Sequence, residues 1–163
     1  MQILHGVLDF RTKTCYNRNQ NSGNVRIFLD TADTEVIRKH WDTGLIDGVT
    51  TNPTLMMKAG RNVDDVYKEI KDIGVTDISM EVVGTGAEMI NEGRRLYQTF
   101  GQCATIKVPM TKDGLLACRT LFGEGINVNV TLIFSAAQAD LAARAGAKYV
   151  SPSVGRLDDQ SVA

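Results

Sequence analysis

From residue 26 onward the chain repeats one pattern, in which a short apolar, β-branched run ends in polar residues and a helical pattern follows. The runs are "RIFLDT" (26–31), "DGVTTN" (47–52), "DISMEVV" (77–83), "ATIKVPM" (104–110), "INVNVTLI" (126–133) and "KYVSPSV" (148–154). Between them, "DTEVIRKHWDTG", "VDDVYKEIKDIG", "AEMINEGRRLYQTFG", "DGLLACRTLFGEG" and "AAQADLAARAGA" carry apolar residues at i, i+3 and i+4. Most of these segments end in glycine, a common helix stop. Strand and helix alternating at this pitch predict parallel βαβ units.

A polar residue stands at the C-terminal end of each predicted strand: Asp30, Asn52, Glu81, Lys107, Thr131 and Ser151, spaced 20 to 29 residues apart. Each spacing is about one βα unit. In a (β/α)8 TIM barrel that end of every strand points into the active-site mouth. The expected fold class is therefore α/β, a (β/α)8 TIM barrel, incomplete here because about six βα units are present. A doubly wound open sheet is the structural rival, but its fingerprint is missing: "GTGAEM" after the third strand is G-x-G without the third glycine or a later acidic partner.

Lys107 sits in the middle of "TIKVPMT", whose Ile106, Val108 and Met110 favour burial. A desolvated ammonium is costly, and its usual response is to become a neutral amine, which is a nucleophile for a carbonyl. The competing reading is a lysine that extends its head past the strand end into water.

The 163 residues are 43% hydrophobic and 23% charged with a net charge of −1, the composition of one globular domain with a real core. The absence of basic excess gives no reason to expect a nucleic-acid partner. No apolar run approaches the roughly 18 residues of a membrane span, and "MQILHGVLDFRTKT" lacks the features of a signal peptide. Three cysteines without a C-x-x-C pair argue against a disulfide framework or zinc site and for a reducing, cytoplasmic setting. With only His5 and His40, acid–base work falls to carboxylates and hydroxyls. Residues 1–25 break the rhythm; "CYNRNQNSGN" is polar and turn-rich and reads as a loop or disordered extension.

Several stretches together resemble the small transaldolase and fructose-6-phosphate aldolase family of class I, Schiff-base aldolases. They are "IFLDTAD" (27–33), "GLIDGVTTNPT" (44–54), "DISMEVVGTG" (77–86), "ATIKVPMTKDGL" (104–115), "INVNVTLIFSAAQA" (126–139) and "AGAKYVSPSVGRLDD" (145–159). The resemblance runs over residues 26–163, which divides the chain into a non-family extension (1–25) and a partial barrel (26–163).

The resemblance implies that Lys107 attacks the ketone of a sugar phosphate and forms an iminium. It implies that Asp30 is the acid/base at the cleaved bond; standing alone, Asp30 could equally cap a helix, although Asp33 is better placed to do so. Glu81 and Thr131 match the pair that holds the water of carbinolamine dehydration, against the simpler readings of a surface carboxylate and a satisfied strand hydroxyl. Thr50 and Asn52 would bind substrate hydroxyls, or "TNP" is only a turn. Ser151 fits a hydroxyl contact near the imine. Arg156 fits phosphate recognition by a guanidinium fork, against a solvated loop arginine.

Glu81, rather than glutamine, resembles the transaldolases and implies transfer of a dihydroxyacetone unit from sedoheptulose 7-phosphate to glyceraldehyde 3-phosphate, in the pentose phosphate pathway. Fructose-6-phosphate cleavage and an inactive truncated fragment are the alternatives. The resemblance implies sugar-phosphate substrates, no metal or organic cofactor, and full-length relatives that assemble into homo-oligomeric rings.

Three departures from the family pattern stand out. Ser153 occupies a position where the family has an aromatic residue. The sequence ends at "RLDDQSVA" with two βα units still to come, so a C-terminally truncated chain, with two exposed sheet edges and poor solubility, is expected. Val25 stands where related chains begin with Met, which suggests a true start there and an over-extended reading frame before it.

Overall fold

The structure is a computed structural model that describes residues 4–9 and 24–152. Six parallel strands follow one another in chain order: β2 (Asn24–Asp30), β3 (Gly48–Thr50), β4 (Ile78–Glu81), β5 (Ala104–Pro109), β6 (Asn127–Ile133) and β7 (Tyr149–Pro152). Helices cover their outer side: α1 (Thr34–Trp41), α2 (Pro53–Ala59), α3 (Val63–Asp72), α4 (Gly86–Phe100), α5 (Lys112–Gly123) and α6 (Ala136–Ala145). This is the expected incomplete (β/α)8 barrel.

The ends of the sheet differ from the expectation of two open edges. A further strand, β1 (Leu4–Asp9), pairs antiparallel with β2 from Leu4↔Leu29 to Asp9↔Asn24 and with β7 at Leu8↔Val150 and Asp9↔Tyr149. The seven strands close into one barrel. The reading of residues 1–25 as a loop or disordered extension does not anticipate this strand, nor the start of β2 at Asn24; residues 1–3 and 10–23 lie outside the described residues. Removing β1 would leave two rows of unpaired backbone groups, a template for association with other chains. Deletion of residues 1–23 is expected to produce self-association and a lower thermal transition. Light scattering and calorimetry check this, and an unchanged monodisperse sample would contradict it.

The helices begin where the sequence supplies caps. Asp33, Asn52, Asn62, Thr85, Thr111 and Ser135 each accept a hydrogen bond from a backbone amide in the first turn of α1 to α6. Each cap contributes on the order of 1 kcal/mol. Thr85 and Glu88 form a reciprocal capping box on α4.

Burial follows the alternation of the strands. Leu29, Val49, Ile78, Met80, Ile106, Val108, Val128, Val130 and Val150 point outward and join Ile37, Val66, Ile70, Met89, Leu96 and Leu121 of the helices in one apolar shell. Fully burying such a side chain contributes about 1.5–3 kcal/mol, so this sheet–helix shell holds the fold. The alternate residues point inward and are mostly polar. Among the described residues, Phe28 and Tyr149 form an apolar pair there, edge to face with ring centroids 5.4 Å apart. Gly48 makes room for that pair, since a Cβ on it would lie 2.5 Å from both the Phe28 ring and the Asp77 carbonyl oxygen.

Candidate active site

The strand register sorts the inward residues into rows. Asp30, Thr50, Ser79, Thr105 and Asn127 form one row across β2 to β6. Glu81, Lys107, Asn129 and Tyr149 form the next, and Pro109, Thr131 and Ser151 lie beyond it toward the C-terminal strand ends. All share one side of a period-2 alternation, so one sheet face carries most of the polar residues singled out in the sequence.

Lys107 does not extend into water. It is 7% exposed, and its Nζ lies 3.0 Å from Glu81 Oε2 in an ion pair. The same nitrogen donates to the Thr51 carbonyl at 2.8 Å and to Thr50 Oγ1 at 3.3 Å. The amine thus spends its three protons on three acceptors, from the ends of β3 and β4. The sequence suggested an amine in apolar surroundings; the structure gives it a carboxylate and two oxygens in a buried polar pocket.

A second chain of hydrogen bonds lies on the neighbouring strands. Ser151 Oγ donates to Asn129 Oδ1 at 2.9 Å, and Asn129 Nδ2 donates to Ser79 Oγ at 3.1 Å, reaching from β7 over β6 to β4. Asn129 and Ser79 are fully buried. Both amide groups of Asn129 are therefore engaged, which fixes its orientation beside Lys107 in the register.

Thr131 is buried and stands immediately before a break in the β6–β7 register. Leu132, next to it, has φ of 62°, the one positive φ at a non-glycine among the described residues. A bulge re-aims the side chains around it, and a left-handed leucine costs about 1–3 kcal/mol. Strain of this kind clusters at functional sites, and here it flanks an inward hydroxyl.

Asn52, read from sequence as a substrate contact or part of a turn, is the N-cap of α2. Its side-chain oxygen accepts from the Leu55 amide at 3.0 Å, and the residue is half-buried. Asp30 is half-buried at the end of β2, in register with Thr50; Asp33, not Asp30, caps α1. Gly114 lets α5 begin tightly against the end of β5, where a Cβ would collide with the Pro109 carbonyl oxygen. Ser153 and Arg156 lie outside the described residues.

The residues that sequence reasoning passed over are Thr51, Tyr67, Ser79 and Asn129. Thr51 Oγ1 lies 3.0 Å from Tyr67 Oη and donates to the Ser79 carbonyl at 3.4 Å. Burial pushes the Tyr67 phenol up to about 12, against the opposing pull of its bond with Thr51. For Ser79 and Asn129 the signal was present, in the alternation of "DISME" and "NVNVT". Tyr67 gave none, because a tyrosine on the buried stripe of a helix reads as core. Among the described residues, no group of three or more His, Cys, Asp or Glu side chains is placed to hold a metal ion. No described helix is long and apolar enough to cross a membrane.

Six parallel strands with alternating helices define an incomplete (β/α)8 barrel, with Lys107 held between a carboxylate and two oxygens near the C-terminal strand ends. The family model for transaldolase/fructose-6-phosphate aldolase matches residues 27–163, and the chain belongs to that family. It is 57% identical over 136 residues to a probable transaldolase of Nitrosopumilus maritimus, covering 83% of this chain and 61% of the relative. It is 53% identical over 139 residues to one of Roseobacter denitrificans, covering 85% and 64%. A probable transaldolase of Aquifex aeolicus is 53% identical over 138 residues, with 84% and 63% covered. The chain thus spans somewhat over three fifths of the length of these relatives. Among solved structures, the EAL domain of Xanthomonas citri FimX in complex with c-diGMP superposes with a TM-score of only 0.47 at 16% identity, over 73% of this chain and 51% of that one.

Proposed function

We propose that the chain carries the catalytic half of a transaldolase, which moves a dihydroxyacetone unit from sedoheptulose 7-phosphate to glyceraldehyde 3-phosphate in the cytoplasmic pentose phosphate pathway. The observation that carries this reading is the buried Lys107 amine in contact with the Glu81 carboxylate at the C-terminal end of the barrel strands. Family membership supports it.

In this mechanism Glu81 accepts a proton from the Lys107 ammonium, and the freed nitrogen attacks the ketone carbon of the donor sugar. The carbinolamine loses water, assisted by Glu81 and the Thr131 hydroxyl, and leaves an iminium. The bond between C3 and C4 then breaks, and its electron pair moves into the iminium to give an enamine. The proton of the C4 hydroxyl passes to Asp30 as the first aldehyde departs. The enamine attacks the aldehyde carbon of glyceraldehyde 3-phosphate, Asp30 returns the proton to the new hydroxyl, and water releases the product from Lys107. Splitting carbon–carbon cleavage into these steps is what a covalent amine catalyst offers. Thr50, Asn52 and Ser151 would hold substrate hydroxyls, and Arg156 the phosphate. Assembly into homo-oligomeric rings belongs to the same proposal.

Transfer and simple cleavage differ in acceptor dependence. Aldehyde release from sedoheptulose 7-phosphate should require glyceraldehyde 3-phosphate for sustained turnover; sustained release of dihydroxyacetone from fructose 6-phosphate without acceptor would instead identify an aldolase. Glu81→Gln keeps the side chain's shape but removes its proton-accepting role. It should lower turnover by about 10²–10⁴, the usual contribution of a positioned acid or base, with a smaller change in KM. Steady-state kinetics check this, and turnover within a factor of two of the parent would remove Glu81 from the mechanism.

A further inference from the structure

Two of the three acceptors that hold Lys107 Nζ, the Thr51 carbonyl and the Glu81 carboxylate, come from neighbouring strand ends. Something must keep those ends in mutual register beyond the last ladder pair of β3 and β4, Thr50↔Ser79. The Thr51 hydroxyl spends its own proton on the Ser79 carbonyl. With that proton committed, it accepts from the Tyr67 hydroxyl on α3, 3.0 Å away. Tyr67 is 3% exposed and Thr51 is fully buried. The Tyr67 ring is fixed in turn, edge to face with Phe100 of α4 at 5.8 Å between centroids.

We infer that Tyr67 is a positioning residue for the amine: its buried hydroxyl holds Thr51, whose own hydroxyl bonds the Ser79 carbonyl on the strand that carries Glu81, so that the two acceptors of Lys107 stay aimed at one point. The inference rests on the proposed imine chemistry for its effect on rate, although the geometry it concerns exists without substrate. A phenylalanine would fill the same space and keep the contact with Phe100. The hydroxyl is thus needed for the polar connection rather than for packing, since burying an O–H is costly unless it is bonded. Small displacements of a reacting group, on the order of 1 Å, can cost up to about 10²-fold in rate.

The test compares Tyr67→Phe, Thr51→Val and Thr51→Ser with the parent chain. The first readout is the rate of borohydride trapping of Lys107 by fructose 6-phosphate. Tyr67→Phe and Thr51→Val should lower the maximal trapping rate about tenfold, within the range a misplaced group produces, with the half-saturating sugar concentration unchanged. Thr51→Ser, which keeps the hydroxyl, should retain the parent rate. A Tyr67→Phe chain that traps at the parent rate overturns the inference and leaves the proposed function standing.

The second readout needs no substrate. In protein labelled with ¹³C and ¹⁵N at lysine, the Lys107 Cε and Nζ signals should shift in Tyr67→Phe and stay in place in the Tyr97→Phe control. If the parent itself fails to trap, the proposed function fails, and these signals decide the positioning role alone. Unshifted signals overturn it, and shifted ones uphold it.

Discussion

A Lys107→Met chain should fold and form no imine, with turnover lowered by on the order of 10³-fold or more, as expected when a covalent nucleophile is removed. Methionine preserves the unbranched stem that runs through the barrel interior, so the surrounding packing survives. What is lost is the nitrogen that three oxygens now hold. Glu81, with a side chain 16% exposed, can exchange its lost partner for water. The stability loss should therefore stay near about 1–3 kcal/mol, the cost of an unmade hydrogen bond of this kind. Steady-state kinetics beside thermal unfolding separate the two effects. Turnover within tenfold of the parent would show that the amine is not the nucleophile.

The second large effect lies at the opposite end of the barrel. Asp77, just before β4, accepts from Thr105 Oγ1 at 2.7 Å, from Lys148 Nζ at 2.9 Å and from Tyr149 Oη at 2.7 Å. It joins the starts of β4, β5 and β7, and Lys148 also lies over the Tyr149 ring at 4.6 Å. Asp77→Ala would leave a largely buried ammonium, a phenol and a hydroxyl without their acceptor. Breaking such a pair from one side costs about 3–5 kcal/mol, which for a chain of this size lowers Tm by about 10 °C. Asp77→Asn keeps one acceptor and should lose less. Because this end of a barrel lies away from the C-terminal strand ends where chemistry is done, turnover per folded molecule should remain within a factor of about two. A change in calorimetric Tm below 2 °C, on the order of 1 kcal/mol or less, would contradict the account.

Much of this organisation was legible in the sequence because the relevant signals are local. Periodicity set the alternation of strand and helix, and the polar residue ending each run marked one end of the barrel. Asp33 was recognisable as the cap of α1. The short helix α2 escaped, because "PTLMMKA" is too brief for a 3.6-residue stripe to stand out and "TNP" signals a turn as readily as a cap. The closing role of β1 escaped for a different reason: pairing with both β2 and β7 is a non-local property, and no pattern within "LHGVLD" declares it. At the site, Lys107 and Glu81 were identified separately, but their 3.0 Å contact depends on the register of β4 against β5. Tyr67 could not be told from a core residue until the helix carrying it was packed against the strand ends.

The central claim is that Lys107 forms a covalent imine with a ketose phosphate. Borohydride reduction in the presence of fructose 6-phosphate, followed by peptide mass mapping, tests it most directly. The account predicts one stable sugar adduct, on the peptide that contains Lys107, and none in the Lys107→Met chain. Absence of an adduct at Lys107, or equal labelling spread over other lysines, would contradict it.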